Sequence, residues 1–209
     1  MKAINTVILI LGMTTVAAAQ TPVKATTEEG RKVLLNADGT WKYAEPLKVA
    51  PGAVVAAAGY TRSKTATERV KTVVDKFSLW MDPDVWTQDK SDDPNRLEFS
   101  HKKGDAYALV IAERIGMPLE SLMDVAIANA KEAAPDLKVT FKETRVVNGA
   151  NVLCMKMVGT IQKIPFIYFG YYYAGKAGSL QVLTYTGENL FDEYKADFQD
   201  FLNGTVISE

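Results

Sequence analysis

The order of apolar patterns along this 209-residue chain predicts an α+β fold, a largely antiparallel sheet of about six strands with helices packed on it. Three observations lead there. Asn148-Gly149 sits between two runs of β-favouring residues, a pair suited to the positive backbone angles of a two-residue hairpin turn. From Phe166 to Tyr173 both alternating sets of side chains are apolar or aromatic, so that strand needs cover on both faces. Two stretches repeat apolar residues at helical spacing, one after Pro118 and one closing the chain, and these supply the cover. With 47% hydrophobic and 23% charged residues the chain can build a core, which excludes a disordered tail or a collagen-like repeat, and a single cysteine excludes a disulfide framework.

The N-terminal end reads as an address. Met1-Lys2 gives a positive start, an apolar core begins at Val7 and runs to Val16, and Ala17-Ala18-Ala19 supplies the small residues of a cleavage site. Residues 1–19 are therefore expected to be a signal peptide. The apolar run is too short to span roughly 30 Å of hydrocarbon, so no membrane span is expected after cleavage and the mature chain is expected to be periplasmic or secreted. Residues 20–45 are read as a polar lead over 21–29 followed by a β-hairpin, with Arg31 to Leu35 and Thr40 to Tyr43 flanking the turn Asn36-Ala37-Asp38-Gly39. Trp41 and Tyr43 share a strand face, where they either pack into a core or form an aromatic patch. Residues 46–61, rich in Ala, Val, Pro and Gly, are read as a linker to the main domain, 62–209.

Within the main domain, Thr65 to Val74 suits a helix or a strand equally. Phe77 to Met81 is a strand stopped by Asp82-Pro83, because proline offers no ladder donor. Arg96 to Ser100 and Ala106 to Ala112 form an antiparallel pair around Gly104-Asp105. Leu119, Leu122, Met123, Ala126, Ile127 and Ala130 make one stripe of a helix that ends before Pro135. Val139 to Val147 and Asn151 to Val158 form the Asn148-Gly149 hairpin, Phe166 to Tyr173 and Leu180 to Thr186 are two further strands, and a last helix from about Asn189 turns Phe191, Tyr194, Phe198, Phe201 and Leu202 inward before Asn203-Gly204. This stretch is long enough to bury roughly 70% of its extended-chain surface.

The chemistry is sparse. A net charge of −1 offers no broad basic surface for nucleic acid. The single histidine, His101, lies in a polar turn and reads as solvated, and Cys154, mid-strand, reads as a small buried side chain. Two such residues cannot fill a zinc site, and no phosphate loop, dinucleotide fingerprint or His-Glu-x-x-His is present, so no cofactor is expected. Asp82, Asp84, Asp89, Asp92 and Asp93 fall in one acidic loop, but without the order of a calcium loop, and read as solvated. The aromatics from Tyr168 to Tyr185 either fill a core or line a groove for a small ligand. Asn203-Gly204-Thr205 matches a glycosylation sequon by pattern alone. No catalytic, cofactor-binding or metal residue is assigned, and a non-enzymatic role is expected.

The pattern from Lys76 to Leu202 resembles the PsbP-like family, whose relatives include DcrB-like exported bacterial proteins. The points of contact are Phe77-Ser78-Leu79-Trp80 with Asp82-Pro83 and Trp86, the helix around Leu119 to Leu122, Val147-Asn148-Gly149, Tyr171-Tyr172-Tyr173, and Gln181 to Tyr185 before an aromatic helix. Upstream, Gly30, Val33, Leu35, Asp38, Gly39, Trp41 and Tyr43 are similar to a short motif of exported bacterial proteins. The resemblance implies an α/β/α sandwich used mostly as a non-catalytic accessory or binding module of the cell envelope, its partner another envelope protein or a small ligand. The alternatives are a carboxylate-based hydrolase and a small-ligand carrier with an aromatic-lined groove.

Overall fold

In the computed structural model, which describes residues 23–26, 32–35, 41–43 and 59–208, every named strand pairs antiparallel with its neighbours. The chain divides into two units, Met1–Val49 and Ala50–Glu209. In the first, β1 (Val23–Thr26), β2 (Lys32–Leu35) and β3 (Trp41–Tyr43) make a sheet in the order β1-β2-β3. Leu35 lies opposite Trp41 and Val33 opposite Tyr43. The stretch expected as a polar lead thus contributes a strand, because the open edge of β2 offers backbone partners to a segment with β-branched Val23 and Thr26. The expected signal peptide, the turn Asn36 to Gly39 and most of the expected linker lie outside the described residues.

The second unit continues with β4 (Glu68–Lys71), β5 (Phe77–Met81), β6 (Trp86–Gln88), β7 (Arg96–His101), β8 (Ala106–Glu113), α1 (Leu119–Ala133), β9 (Lys138–Val147), β10 (Ala150–Ile161), β11 (Ile164–Gly175), β12 (Gly178–Gly187), α2 (Phe191–Asn203) and β13 (Thr205–Ile207). The main sheet has seven strands in the order β6-β7-β8-β12-β11-β10-β9, and β13-β5-β4 form a second, three-stranded sheet. Two expectations are corrected. The acidic stretch after Asp82 is not all loop, since it holds β6, whose Trp86 pairs with His101 and is buried. The strand Phe77 to Met81 leaves the main sheet for the smaller one, where β13 and β4 flank it. The ambiguous segment before it resolves as β4, a strand.

The α+β reading holds, with one helix on each face of the main sheet at β11. On one face, α2 buries Phe191, Tyr194, Phe198, Phe201 and Leu202 against Val110, Val182 and Tyr171, while Phe77 of β5 meets Tyr173 edge-on at 5.7 Å. On the other, α1 buries Leu122, Met123 and Ala126, and Pro135 stops the helix by denying it the next backbone donor. Asn148 and Gly149, at φ 47° and 87°, form the tight turn between β9 and β10. The Asn148 side chain also donates to the carbonyls of Asn203 and Thr205 at 2.8 and 2.7 Å, which ties this turn to the exit from α2. Tyr60 adds an isolated parallel bridge to Val147.

Candidate functional site

The groove between α1 and the main sheet, with a volume of about 320 Å³, has room for a ligand. That is near the lower end of what small-molecule pockets use. Its floor follows from the strand register. Tyr172, Gln181, Ile111 and Arg96 are opposite one another across β11, β12, β8 and β7 and form one row on the α1 face. Tyr168, Tyr185 and Tyr107 form a second row, four residues along β11, with Leu183 and Leu109 between. Gly170 belongs to this middle row. A Cβ there would come within 2.6 Å of Leu183 Cδ2, so the glycine lets Leu183 lean over β11.

The roof explains why the space is open. A helix on a sheet sits about 10 Å from it, and the side chains between must fill that layer. The first half of α1 does so with Leu122 and Met123, but Ala126, Ala130 and Ala133 bring only methyl groups, together with Asn129, over the groove. The tyrosine rings line the space they leave. Tyr185 stacks on Tyr107 at 5.4 Å and lies against Tyr168 at 5.6 Å. The alternatives of core and groove for these rings are resolved by face: Tyr171 and Tyr173 serve the α2 core, while Tyr168, Tyr172 and Tyr185 line the groove.

The polar groups of the groove are specific. Tyr172 is fully buried, and its hydroxyl has no hydrogen-bond partner among the described residues. An unmet buried hydroxyl costs about 1–3 kcal/mol. Burial holds the Tyr172 phenol well above its ordinary pKa, and burial likewise raises Tyr168 and Tyr185, so all three are neutral hydroxyls able to donate. Arg96 stands at the edge with its Nε 2.7 Å from Glu98.

His101 is not a solvated turn residue. It ends β7 on the same alternation as Leu97 and Phe99, is 5% exposed, and packs edge-on against Trp86 and Tyr194. The backbone N–H of Lys103 donates to Nδ1 at 3.1 Å, which places the proton on Nε2, 3.0 Å from Asp197. Both ring nitrogens are engaged, Nδ1 within the turn after β7 and Nε2 with Asp197 of α2, and neither contact is to a nucleophile. Cys154 is buried on β10, and burial, with Glu143 adding to it and Arg145 opposing, pushes its thiol up to about 12, which makes it unreactive. Asn203 of the sequon is also buried, and its Oδ1 accepts from Tyr171 and Gln199, which ties the side chain into the core.

The acidic loop does not converge. Asp82 accepts the backbone N–H of Asp84, Asp93 accepts that of Asn95, and Asp89 accepts the Ser100 hydroxyl at 2.6 Å. No group of three potential metal ligands forms among the described residues. Asp82 instead joins Asp197 and Asp200 around a separate cavity of about 50 Å³, where burial, then Asp197 and Asp82, raise the Asp200 carboxyl. A raised carboxyl beside others is the arrangement of an acid–base pair. At about 50 Å³ the cavity is well below the roughly 300 Å³ at which small-molecule pockets begin. Among the described residues no helix is long and apolar enough to cross a membrane. Trp41 and Tyr43, named from the sequence, lie in the first unit on β3.

With this geometry in view, the comparisons with known proteins are informative about fold. Residues 2–154 match the model of the family described as "Protein of unknown function (DUF3157)", and the chain belongs to that family. No curated protein matches it. Among solved structures, the cyanobacterial PsbP, CyanoP, of Synechocystis sp. PCC 6803 is similar over 73% of this chain and 98% of its own, at 11% identity and a TM-score of 0.50. The Ran-binding protein Mog1p of Saccharomyces cerevisiae aligns over 68% of this chain and 95% of its own at 6% identity, with a TM-score of 0.47. LpqN of Mycobacterium tuberculosis, described as involved in cell envelope biogenesis, aligns over 64% and 83% at 11% identity, with a TM-score of 0.40. The likeness to CyanoP shows the PsbP-like fold.

Proposed function

We propose that this chain is an exported, non-catalytic binding protein of the bacterial cell envelope, and that the groove under α1 is where it takes a small ligand. The observation that carries the reading is the Tyr172 hydroxyl, buried without a partner among the described residues in the lining of a groove floored by Leu109, Ile111 and Leu183 and roofed by alanines. A core has no use for such a group, whereas a ligand supplies its partner. Export rests on the residue pattern of positions 1–19. Kinship with DcrB-like proteins rests on the residue pattern from Phe77 to Tyr185, and the upstream motif on Gly30 to Tyr43.

A thermal-shift panel of small amphipathic molecules tests the groove, because a ligand that binds only the native state raises the melting temperature by mass action. Hits should disappear when Ala130 is replaced by Leu, which fills the space beneath α1. Hits that survive Ala130→Leu, or a panel with none, would refute the reading. For export, fractionation of cells expressing the full chain should recover a shortened form outside the cytoplasm. Recovery of the uncleaved chain in the cytoplasm would refute that part.

A further inference from the structure

The row Tyr172, Gln181, Ile111, Arg96 crosses four strands, so its two ends are three strand spacings apart, about 14 Å. At one end is the unpartnered phenol of Tyr172. At the other is Arg96, the only charged residue among the described ones that line the groove, and no acidic residue lines it. Glu98 engages Arg96 at Nε, one of the five N–H donors of a guanidinium. Between the ends the floor is Leu109, Ile111 and Leu183, and the roof is alanine. A cation would meet the Arg96 guanidinium in the lining itself, and the neighbouring carboxylate, Glu98, is already engaged at Arg96 Nε. A short molecule would reach one polar end and leave the other unmet.

We propose that the groove binds an elongated amphipathic carboxylate, with its carboxylate on the Arg96 guanidinium, its apolar body along Leu109 and Leu183, and a hydroxyl or carbonyl at its far end accepting from Tyr172. The planar guanidinium is suited to two-point recognition of a carboxylate, and the half-exposed position of Arg96 keeps the anion's desolvation cost low. Gln181, buried in the same row, offers a second donor, its side-chain amide, to the far end. The proposal rests on the groove reading above and adds the chemistry of its occupant.

Isothermal titration of the full chain with two probes separates the aryl from the alkyl source of this chemistry: 4-hydroxycinnamate and 10-hydroxydecanoate. Each has a control without the far hydroxyl, cinnamate or decanoate, and one without the charge, 4-hydroxycinnamyl alcohol or 1,10-decanediol. We expect one of the two hydroxy acids to bind, Arg96→Gln to weaken it about tenfold while leaving the neutral alcohol unchanged, and Tyr172→Phe to weaken it about fivefold while leaving the hydroxyl-free acid unchanged. Both variants preserve the core, and a melting temperature without probe that does not fall verifies this. Neutral and charged probes binding alike, or Arg96→Gln having no effect, would overturn the proposal and leave the groove reading standing. Failure of all six probes would overturn both.

Discussion

Tyr171 and Tyr172 are adjacent on β11 and equally buried, at 1% and 0% exposure, but they project to opposite faces of the main sheet. The Tyr171 hydroxyl receives hydrogen bonds from Arg145 at 3.2 Å and Gln199 at 2.7 Å and donates to Asn203 at 3.0 Å. The Tyr172 hydroxyl has no such partner among the described residues. Burial does not distinguish them. The helix above each does. Over Tyr171, α2 brings Gln199 and Asn203 with a file of large rings, and Arg145 joins Gln199 at 2.8 Å to complete the network. Toward the groove that Tyr172 lines, α1 brings Ala126, Ala130 and Ala133. One face of the sheet is closed by matched polar groups and rings, and the other keeps a space and an unmet donor.

The largest effect should come from the closed face. Phe201, 2% exposed and packed on Trp86 and Phe99, should cost about 3–5 kcal/mol when replaced by Ala, read by denaturant unfolding. Leu109→Ala on the groove floor should cost under about 2 kcal/mol, because Leu109 already borders open space. Equal costs would mean the two faces are packed alike. The two tyrosines sharpen the contrast. Tyr171→Phe should destabilise by about 1–3 kcal/mol by orphaning its partners, whereas Tyr172→Phe should be neutral or stabilise by up to about 1 kcal/mol, since it removes an unmet group. A loss at both positions would show that Tyr172 has a partner in solution within the free protein.

A further contrast is in alkaline titration. The Cys154 thiol rises from an ordinary value of 9.0 to about 12 on folding, and Tyr168, Tyr171 and Tyr185 also rise, all chiefly through burial. For an acid whose folded pKa is raised, the unfolded chain loses its proton first, so the unfolded state binds fewer protons and stability falls as pH rises. Stability contributed by Cys154 should be whole below about pH 9 and decline toward pH 12, and Cys154→Ser, despite its packing cost, should flatten the thiol's share of that slope. Thiol alkylation at pH 8 should proceed only on unfolding. Rapid alkylation of the folded protein would contradict a buried, neutral thiol.

Much of the architecture was legible before any coordinates. The alternation of Phe166 to Tyr173 asked for two covering helices, and the structure supplies one on each face. The Asn148-Gly149 turn and the inward face of α2 fell where their patterns put them. The three-residue strands β6 and β13 were not legible, because so short a segment has no period and forms only where a neighbour's open edge is presented to it. His101 was misread through its polar neighbours, although its alternation with Leu97 and Phe99 already pointed inward. The groove left a fainter trace, small residues at Ala126, Ala130 and Ala133 on a helix whose partner strands are rich in tyrosine.

What the sequence determined alone are the features set by short-range sterics and by period: which segments are helix or strand, where they turn, and which side chains share a face. What only the tertiary structure decided is which buried rings are used up. Tyr171 and Tyr172 are indistinguishable in a pattern of apolar and polar residues, and the difference between them depends on the reach of side chains from two helices remote in sequence. Whether a layer between helix and sheet is filled or left open is a matter of volumes summed across elements, and no local pattern carries that sum.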